Sequence, residues 1–202
     1  MQREQEIREI LINNTIHLIA EGGFEKATTH AIAFSGVQPS TFKMNEVYIY
    51  RFFGGKEKLY AAAFAKLDTE IHLALCGYTD FRPYPEQDVK SQLYEAFLKT
   101  WGYILTNEAY CRCYARYYYS VYFKDESFQT HNRLFDGIVE RFAPLFKEGT
   151  DVKFIMHGVF TTMIDYAVWV HNGDFKNTAN TTEHVFNVTY GMMATFLKDA
   201  KI

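Results

Sequence analysis

The hydrophobic and polar positions of this chain recur at helical spacing almost from end to end. Between Gln5 and Glu21 the apolar residues Ile7, Leu11, Ile12, Leu18 and Ile19, with half-apolar Thr15, fall at the intervals that line one face of an α-helix. Gly22 and Gly23 predict its end. A second, short helix is expected from Thr28 or Thr29, either of which can accept a backbone N–H as N-cap, through Ala31, Ile32 and Ala33 toward Ser35, with Gly36 closing it. The run VQPSTFKM, Val37 to Met44, reads as a turn because it gathers a proline and two hydroxyl residues. Asn45 is then placed to cap a third short helix that lasts to Phe53 and stops at Gly54 and Gly55. Lys56 opens a longer fourth helix, to about Leu75, in which Leu59, Ala63, Leu67 and Ile71 share a face.

The remaining sequence alternates helical stretches with loops. Loop signals stand at Gly77–Asp88, near Asn107, near Asp125, near Gly149 and at Asn172–Thr182, leaving five stretches suited to a helical bundle. No alternating strand pattern of useful length occurs. The last two stretches, about Asp151 to His171 and Thr181 to Lys198, carry broad apolar faces: Phe154, Ile155, Val159 and Met163 belong to one, Val185, Val188, Met192 and Phe196 to the other. Such faces serve a core or a seam between two copies of the chain.

Composition narrows the class. At 202 residues and 48% hydrophobic content the chain can bury a sizeable core as one large domain or a small domain joined to a larger one. No apolar stretch approaches the roughly 18 residues of a membrane span, and the start, MQREQEIREI, is charged where a signal peptide needs an apolar core, so a cytoplasmic protein is expected. Cys76, Cys111 and Cys113 are expected to remain thiols. The net charge of −3 argues against a protein that coats nucleic acid through bulk positive charge. Locally the balance changes. From residue 26 to 58 Lys26, Lys43, Arg51, Lys56 and Lys58 face only Glu46 and Glu57, a net +3, whereas the first 25 residues carry a net −3.

Two short helices joined by a turn, preceded by a bracing helix and bearing that basic patch, outline a helix-turn-helix DNA reader. The segments LIAEGGFEKATTHAIA, Leu18 to Ala33, and VYIYRFFGGKEKL, Val47 to Leu59, resemble the N-terminal DNA-binding domain of the TetR family of transcriptional regulators, a likeness covering roughly residues 7 to 70. One departure stands out: Gln38 to Met44 lengthens the turn by about six residues relative to that pattern. It could add a contact through Ser40, Thr41 or Lys43, or hold the recognition helix away from DNA.

The resemblance implies an all-α fold of about nine helices. A helix-turn-helix domain of residues 1–57 would be joined by the fourth helix to a ligand-binding and dimerisation domain of residues 58–202. By the same resemblance Tyr50 and Lys56 contact phosphates, while Val47, Tyr48 and Arg51 lie near base edges, with Thr28, Lys43 and Asn45 beside them. Chemistry agrees. A tyrosine hydroxyl donates to phosphate oxygen, a lysine near a helix start adds charge to the positive dipole end, and arginine grips guanine bidentately. The implied partners are an operator duplex, a second copy of the chain through the last two helices, and a small-molecule effector, with no cofactor. Repression is the mode the resemblance implies.

Aromatic residues crowd between Trp101 and Phe123. Tyr114, Tyr117 and Tyr118 share a helical face and, with Trp101, Phe128, Met163, Tyr166 and Trp169, form a candidate lining for an apolar pocket with hydroxyl handles. Two other function classes are weaker. Cys111 and Cys113 diverge on a helix and have no neighbouring ligand at an established spacing, which disfavours a metal or redox sensor. No phosphate-loop, dinucleotide, zinc-protease or nucleophile-elbow motif is present, and Asp165, His157 and His171 make no catalytic spacing, so an enzyme is not expected.

Overall fold

Caps written into the sequence set many of the helix boundaries. The computed structural model describes residues 2–36, 42–78, 88–124 and 126–198. Among them the backbone forms nine α-helices and no strand beyond an isolated bridge, so the all-α class expected from periodicity is the class found. The helices are α1 (Gln2–Lys26), α2 (Thr29–Phe34), α3 (Val47–Phe53), α4 (Lys56–Tyr78), α5 (Val89–Thr106), α6 (Glu108–Tyr118), α7 (Glu126–Phe142), α8 (Val152–Asn172) and α9 (Ala179–Ala194), with a 3-10 turn at Ala143–Leu145. Thr28, Asp88, Asp151 and Thr178 each accept a backbone N–H three residues on, at 3.0 to 3.2 Å. No described helix is long and apolar enough to cross a membrane.

Three boundaries differ from the sequence reading, each for a local reason. α1 breaks at the expected glycine pair, its backbone leaving helical geometry at Gly23 with φ 75° and ψ −170°, but a further helical turn carries it on to Lys26. Beside this break the Arg116 guanidinium donates to the Ile19 carbonyl at 2.8 Å. α3 begins at Val47, and Asn45 caps it from outside by accepting the Val47 N–H at 2.9 Å. α9 stops at Ala194, short of Lys198, because the following backbone pairs elsewhere: Lys147 N–H donates to Phe196 O and Lys198 N–H to Leu145 O, both at 2.8 Å.

Contacts divide the chain into two compact units, Met1–Asp68 with Ala109–His131 and Thr69–Glu108 with Asn132–Ile202, so that the divisions fall inside α4, after the first residue of α6 and inside α7. In the first unit Leu11, Ile16 and Ile19 of α1, Ile32 of α2, Ile49 of α3 and Leu67 of α4 are fully buried. Helices of six and seven residues are too short to persist alone, so α2 and α3 depend on this packing. Polar side chains fix them further. Buried Asn14 donates from Nδ2 to the carbonyls of Ile32 at 2.9 Å and Ser35 at 2.8 Å. Gly36 follows at φ 69°, where a Cβ would stand 2.5 Å from Asn14 Oδ1, so the α2 end accepts only glycine without rearrangement. Tyr60 of α4 donates its hydroxyl to Ala27 O at 2.7 Å, and Lys66 pairs with Glu9 at 2.9 Å.

The second unit is held chiefly by apolar faces. Phe97 and Ile104 of α5, Ile155, Val159 and Ile164 of α8 and Val185 and Phe186 of α9 are buried. Each such side chain contributes about 1.5–3 kcal/mol by leaving water. Its threonines bond within their own helices: Thr100 donates to Ala96 O and Thr189 to Val185 O, both at 3.0 Å.

Candidate nucleic-acid interface

α2 and the start of α3 are joined by a side-chain bond, in which Thr29 donates to Glu46 Oε2 at 2.6 Å. With Ile49 buried beneath it and Asn14 holding α2, α3 has a defined inner face. The outer face follows from its period. Val47 is 62% exposed and Tyr50 60%, with Arg51, Lys43, Asn45 and Thr28 also exposed. Tyr48 is half-buried, its ring stacked on Phe52 at 5.7 Å, so it lies against its own helix rather than projecting freely. Lys56 is half-buried with its ammonium 5.7 Å from the Tyr60 ring centroid.

Arg51 already has a partner. Its Nη2 lies 3.2 Å from Glu4 Oε1 and its guanidinium 5.3 Å from the Phe52 ring. Both members of the ion pair are exposed, so the bond is weak and the Arg51 guanidinium can exchange Glu4 for another acceptor. Of the lengthened turn, Gln38, Pro39, Ser40 and Thr41 lie outside the described residues. Its end is anchored: Met44 is buried and the Arg3 guanidinium sits 4.8 Å from the half-buried Phe42 ring.

The eight aromatic and thioether candidates for a ligand pocket are divided between the two units. Tyr114, Tyr117, Tyr118 and Phe128 belong to the first unit, where Phe64 stacks on Tyr117 at 4.5 Å and Tyr118 meets Phe123 at 4.5 Å. His131 lies against this cluster and contacts Asp68 at 3.0 Å, both side chains being buried. Burial first, and the nearby Asp68 charge second, hold the Tyr114 and Tyr118 hydroxyls above the ordinary tyrosine range. Trp101, Met163, Tyr166 and Trp169 belong to the second unit. There Trp101 donates to Thr182 at 3.1 Å, while Tyr166 and Trp169 pair edge-on at 4.9 Å beside exposed Phe175.

A different group encloses space in the second unit. A cavity of about 60 Å³ lies among α5, α7, α8 and α9, with Phe97, Phe135, Phe142, Phe160 and Phe186 in its wall. Met163 is the one residue shared with the sequence-derived set. Thr100 and Thr189 are its polar wall residues, and their hydroxyl protons are already donated to backbone carbonyls, so the lining is apolar in effect. The wall phenylalanines are scattered over four helices, and only knowledge of which helices touch could have assembled them.

The other polar candidates have separate partners. The His157 ring stacks on Phe135 at 4.0 Å and His171 Nδ1 lies 3.9 Å from Glu108. Cys111 and Cys113 are buried, and burial pushes the Cys113 thiol up to about 12. Such a thiol is a poor nucleophile and metal ligand. No cluster suited to a metal ion occurs among the described residues.

Neither protein-family models nor curated proteins match the chain. Solved structures match nearly all of it. A TetR family transcription regulator from Marinobacter aquaeolei VT8 is 15% identical across 95% of this chain and 97% of its own, with a TM-score of 0.71. A TetR-like transcriptional regulator from Rhodococcus sp. RHA1 is 16% identical across 93% and 96%, with a TM-score of 0.65. The transcriptional regulator FadR from Bacillus subtilis, solved in complex with stearoyl-CoA, is 17% identical across 90% and 96%, with a TM-score of 0.64. At these identities the likeness is one of architecture. The resemblance carried by two short motifs in the first third thus extends over nearly all of the chain, and this chain has the fold of the TetR-family transcription regulators.

Proposed function

We propose that this protein is a DNA-binding transcription regulator that acts as a homodimer and is released from a palindromic operator by a small apolar ligand. The observation that carries the reading is the outer face of α3. Val47, Tyr50 and Arg51 are exposed on a seven-residue helix whose other side is locked by Ile49 and by the staples on α2. A rigid short helix showing a phenol, a guanidinium and a small apolar group suits a major groove, where these read phosphate, guanine and the thymine methyl. In this reading residues 1–57 contact DNA, with Thr28, Lys43, Asn45, Tyr48 and Lys56 around α3, and residues 58–202 carry the ligand and dimer surfaces.

A dimer is required because one such helix covers too little DNA for tight binding, and paired readers sit about 34–36 Å apart or a multiple of it. α8, α9 and the turn after α9 supply apolar groups for the seam: Phe154 is 77% exposed, and Trp169, Val188, Met192 and, beyond α9, Phe196 are exposed with it. The ligand is read from the phenylalanine-lined cavity, which suits an aliphatic chain, in keeping with the stearoyl-CoA bound by the Bacillus subtilis neighbour. At about 60 Å³ it is less than half the roughly 150 Å³ that admits benzene. Entry of a chain therefore parts the surrounding helices, and that differential fit is what shifts the dimer between DNA-binding states. α4, which runs from Lys56 through both units, is the lever.

Selection from a random duplex library by the purified protein tests the reading. The expected result is a palindromic site whose affinity drops with salt and is weakened by Tyr50→Phe and Lys56→Ala. A folded dimer that enriches nothing at low salt overturns it, unless removal of Gln38–Met44 restores binding and so identifies the long turn as an obstruction.

A further inference from the structure

A second cavity, of about 220 Å³, lies within the first unit between α4 and the start of α7. Its α4 wall is cut low by Ala61, Ala62 and Ala65, with Phe64 behind them, and its polar lining comes from Asp68, Glu126, Ser127, Thr130 and Lys58. The volume far exceeds the roughly 10–15 Å³ needed for one water.

The hydrogen-bond partners of these side chains fix what the lining offers. The Tyr117 hydroxyl donates its single proton to Tyr122 O at 3.0 Å, so the 3.0 Å contact between Tyr117 and Ser127 must be donated by Ser127. Ser127 is buried and retains lone pairs alone. Asp68 is 6% exposed, and its Oδ1 faces His131 Nδ1 at 3.0 Å. No hydrogen bond from the described chain reaches its other oxygen, Oδ2. Glu126 adds an exposed carboxylate with no ion pair among the described residues, and Lys58 is the single base of the lining. The two deeply placed groups are therefore both acceptors in a lining of net charge −1, beside an aromatic ring.

We propose that this cavity binds a small organic cation bearing a primary ammonium or guanidinium group, which donates to Asp68 Oδ2 and Ser127 Oγ, lies near the Phe64 ring and is attracted by Glu126. An anion or neutral alcohol has the wrong charge or too few donors for two acceptor-only groups. A cation at an aromatic face gains further attraction that a hydrocarbon of the same length lacks. The site lies wholly within the first unit and does not depend on the apolar cavity or on DNA reading.

Titration calorimetry on the full chain at low salt tests this with agmatine and 1-aminobutane as probes, and with 1-butanol and butyrate as matched neutral and anionic controls. Saturable binding of one agmatine per chain is expected, with weaker 1-aminobutane and neither control. Ala61→Leu, which fills the cavity while keeping every polar group, should abolish binding. Glu126→Gln, at an exposed position, should weaken it by about twofold to fivefold. Asp68→Asn should remove binding without blocking the cavity; if loss of the His131 partner unfolds this variant, the Ala61 and Glu126 variants still decide. Absence of saturable amine binding overturns the proposal, as does equal binding of 1-butanol or agmatine affinity unchanged by Ala61→Leu.

Discussion

The two units of this chain solve the same problem by different means. In the first, helices of six and seven residues carry the candidate interface, and side chains reach from one element to the backbone of another: Asn14 to Ile32 and Ser35, Tyr60 to Ala27, Arg116 to Ile19. In the second, helices of 16 to 21 residues pack through scattered aliphatic and aromatic side chains, and its buried threonine hydroxyls turn back on their own helices. Directional bonds specify one placement of a short helix, the rigidity that the proposed DNA reading calls for. Apolar contact specifies burial but tolerates sliding, in keeping with the proposed opening around a ligand.

The largest expected break in this contrast is Asn14→Leu. It removes the amide that meets the buried Ile32 carbonyl and the part-buried Ser35 carbonyl, and should cost about 2–4 kcal/mol. Urea unfolding followed by far-UV circular dichroism measures it, and a loss below about 0.5 kcal/mol would mean that α2 is held by packing alone. Tyr60→Phe should come next at about 1–2 kcal/mol, because it removes only the hydroxyl that reaches Ala27.

Tyr60 also gives the first unit a pH signature. Burial first, then the charges of Tyr122 and Glu57, push its hydroxyl up to about 12 from 10.0. The folded chain holds this proton more tightly than the unfolded chain does, so the associated stability is complete below 10.0 and is lost as pH rises toward about 12. Unfolding midpoints taken across that window should fall less steeply for Tyr60→Phe than for the parent; parallel slopes would place the alkaline sensitivity elsewhere.

The smallest effects belong to the second unit. Thr100→Val and Thr189→Val should each change stability by less than about 1 kcal/mol, because the hydroxyls bond carbonyls of their own helices and the new methyl enters an apolar cavity. A loss above about 2 kcal/mol in the same urea experiment would give these threonines a role like that of Asn14 and erase the contrast.

Much of the first unit is readable in one dimension because its determinants are local. Thr28 caps α2, Asn45 caps α3, and glycines at Gly36 and Gly54 adopt positive φ where the helices end. Exposure of Val47, Tyr50 and Arg51 follows from their period once Ile49 faces inward. The staples were not legible. Asn14 sits among core residues of α1 and reads as an interruption of the apolar face until the end of α2 is brought beside it. Glu4 likewise reads as one more acid of a charged start, yet it holds Arg51.

By itself the sequence determined the all-α class, most helix boundaries, the order of the helix-turn-helix elements and the exposure of Val47, Tyr50 and Arg51 on α3, though not the half-burial of Tyr48, since periodicity and capping act within a few residues. Tertiary structure alone decided which aromatics enclose space. The dense tyrosines of α6 pack with Phe64, whereas phenylalanines from four separated helices line the apolar cavity. A cavity arises from side chains distant in sequence meeting imperfectly, and no local pattern encodes where that happens. The acceptor-lined space beneath Asp68 and Ser127 has the same origin, visible only when α4 and α7 stand side by side.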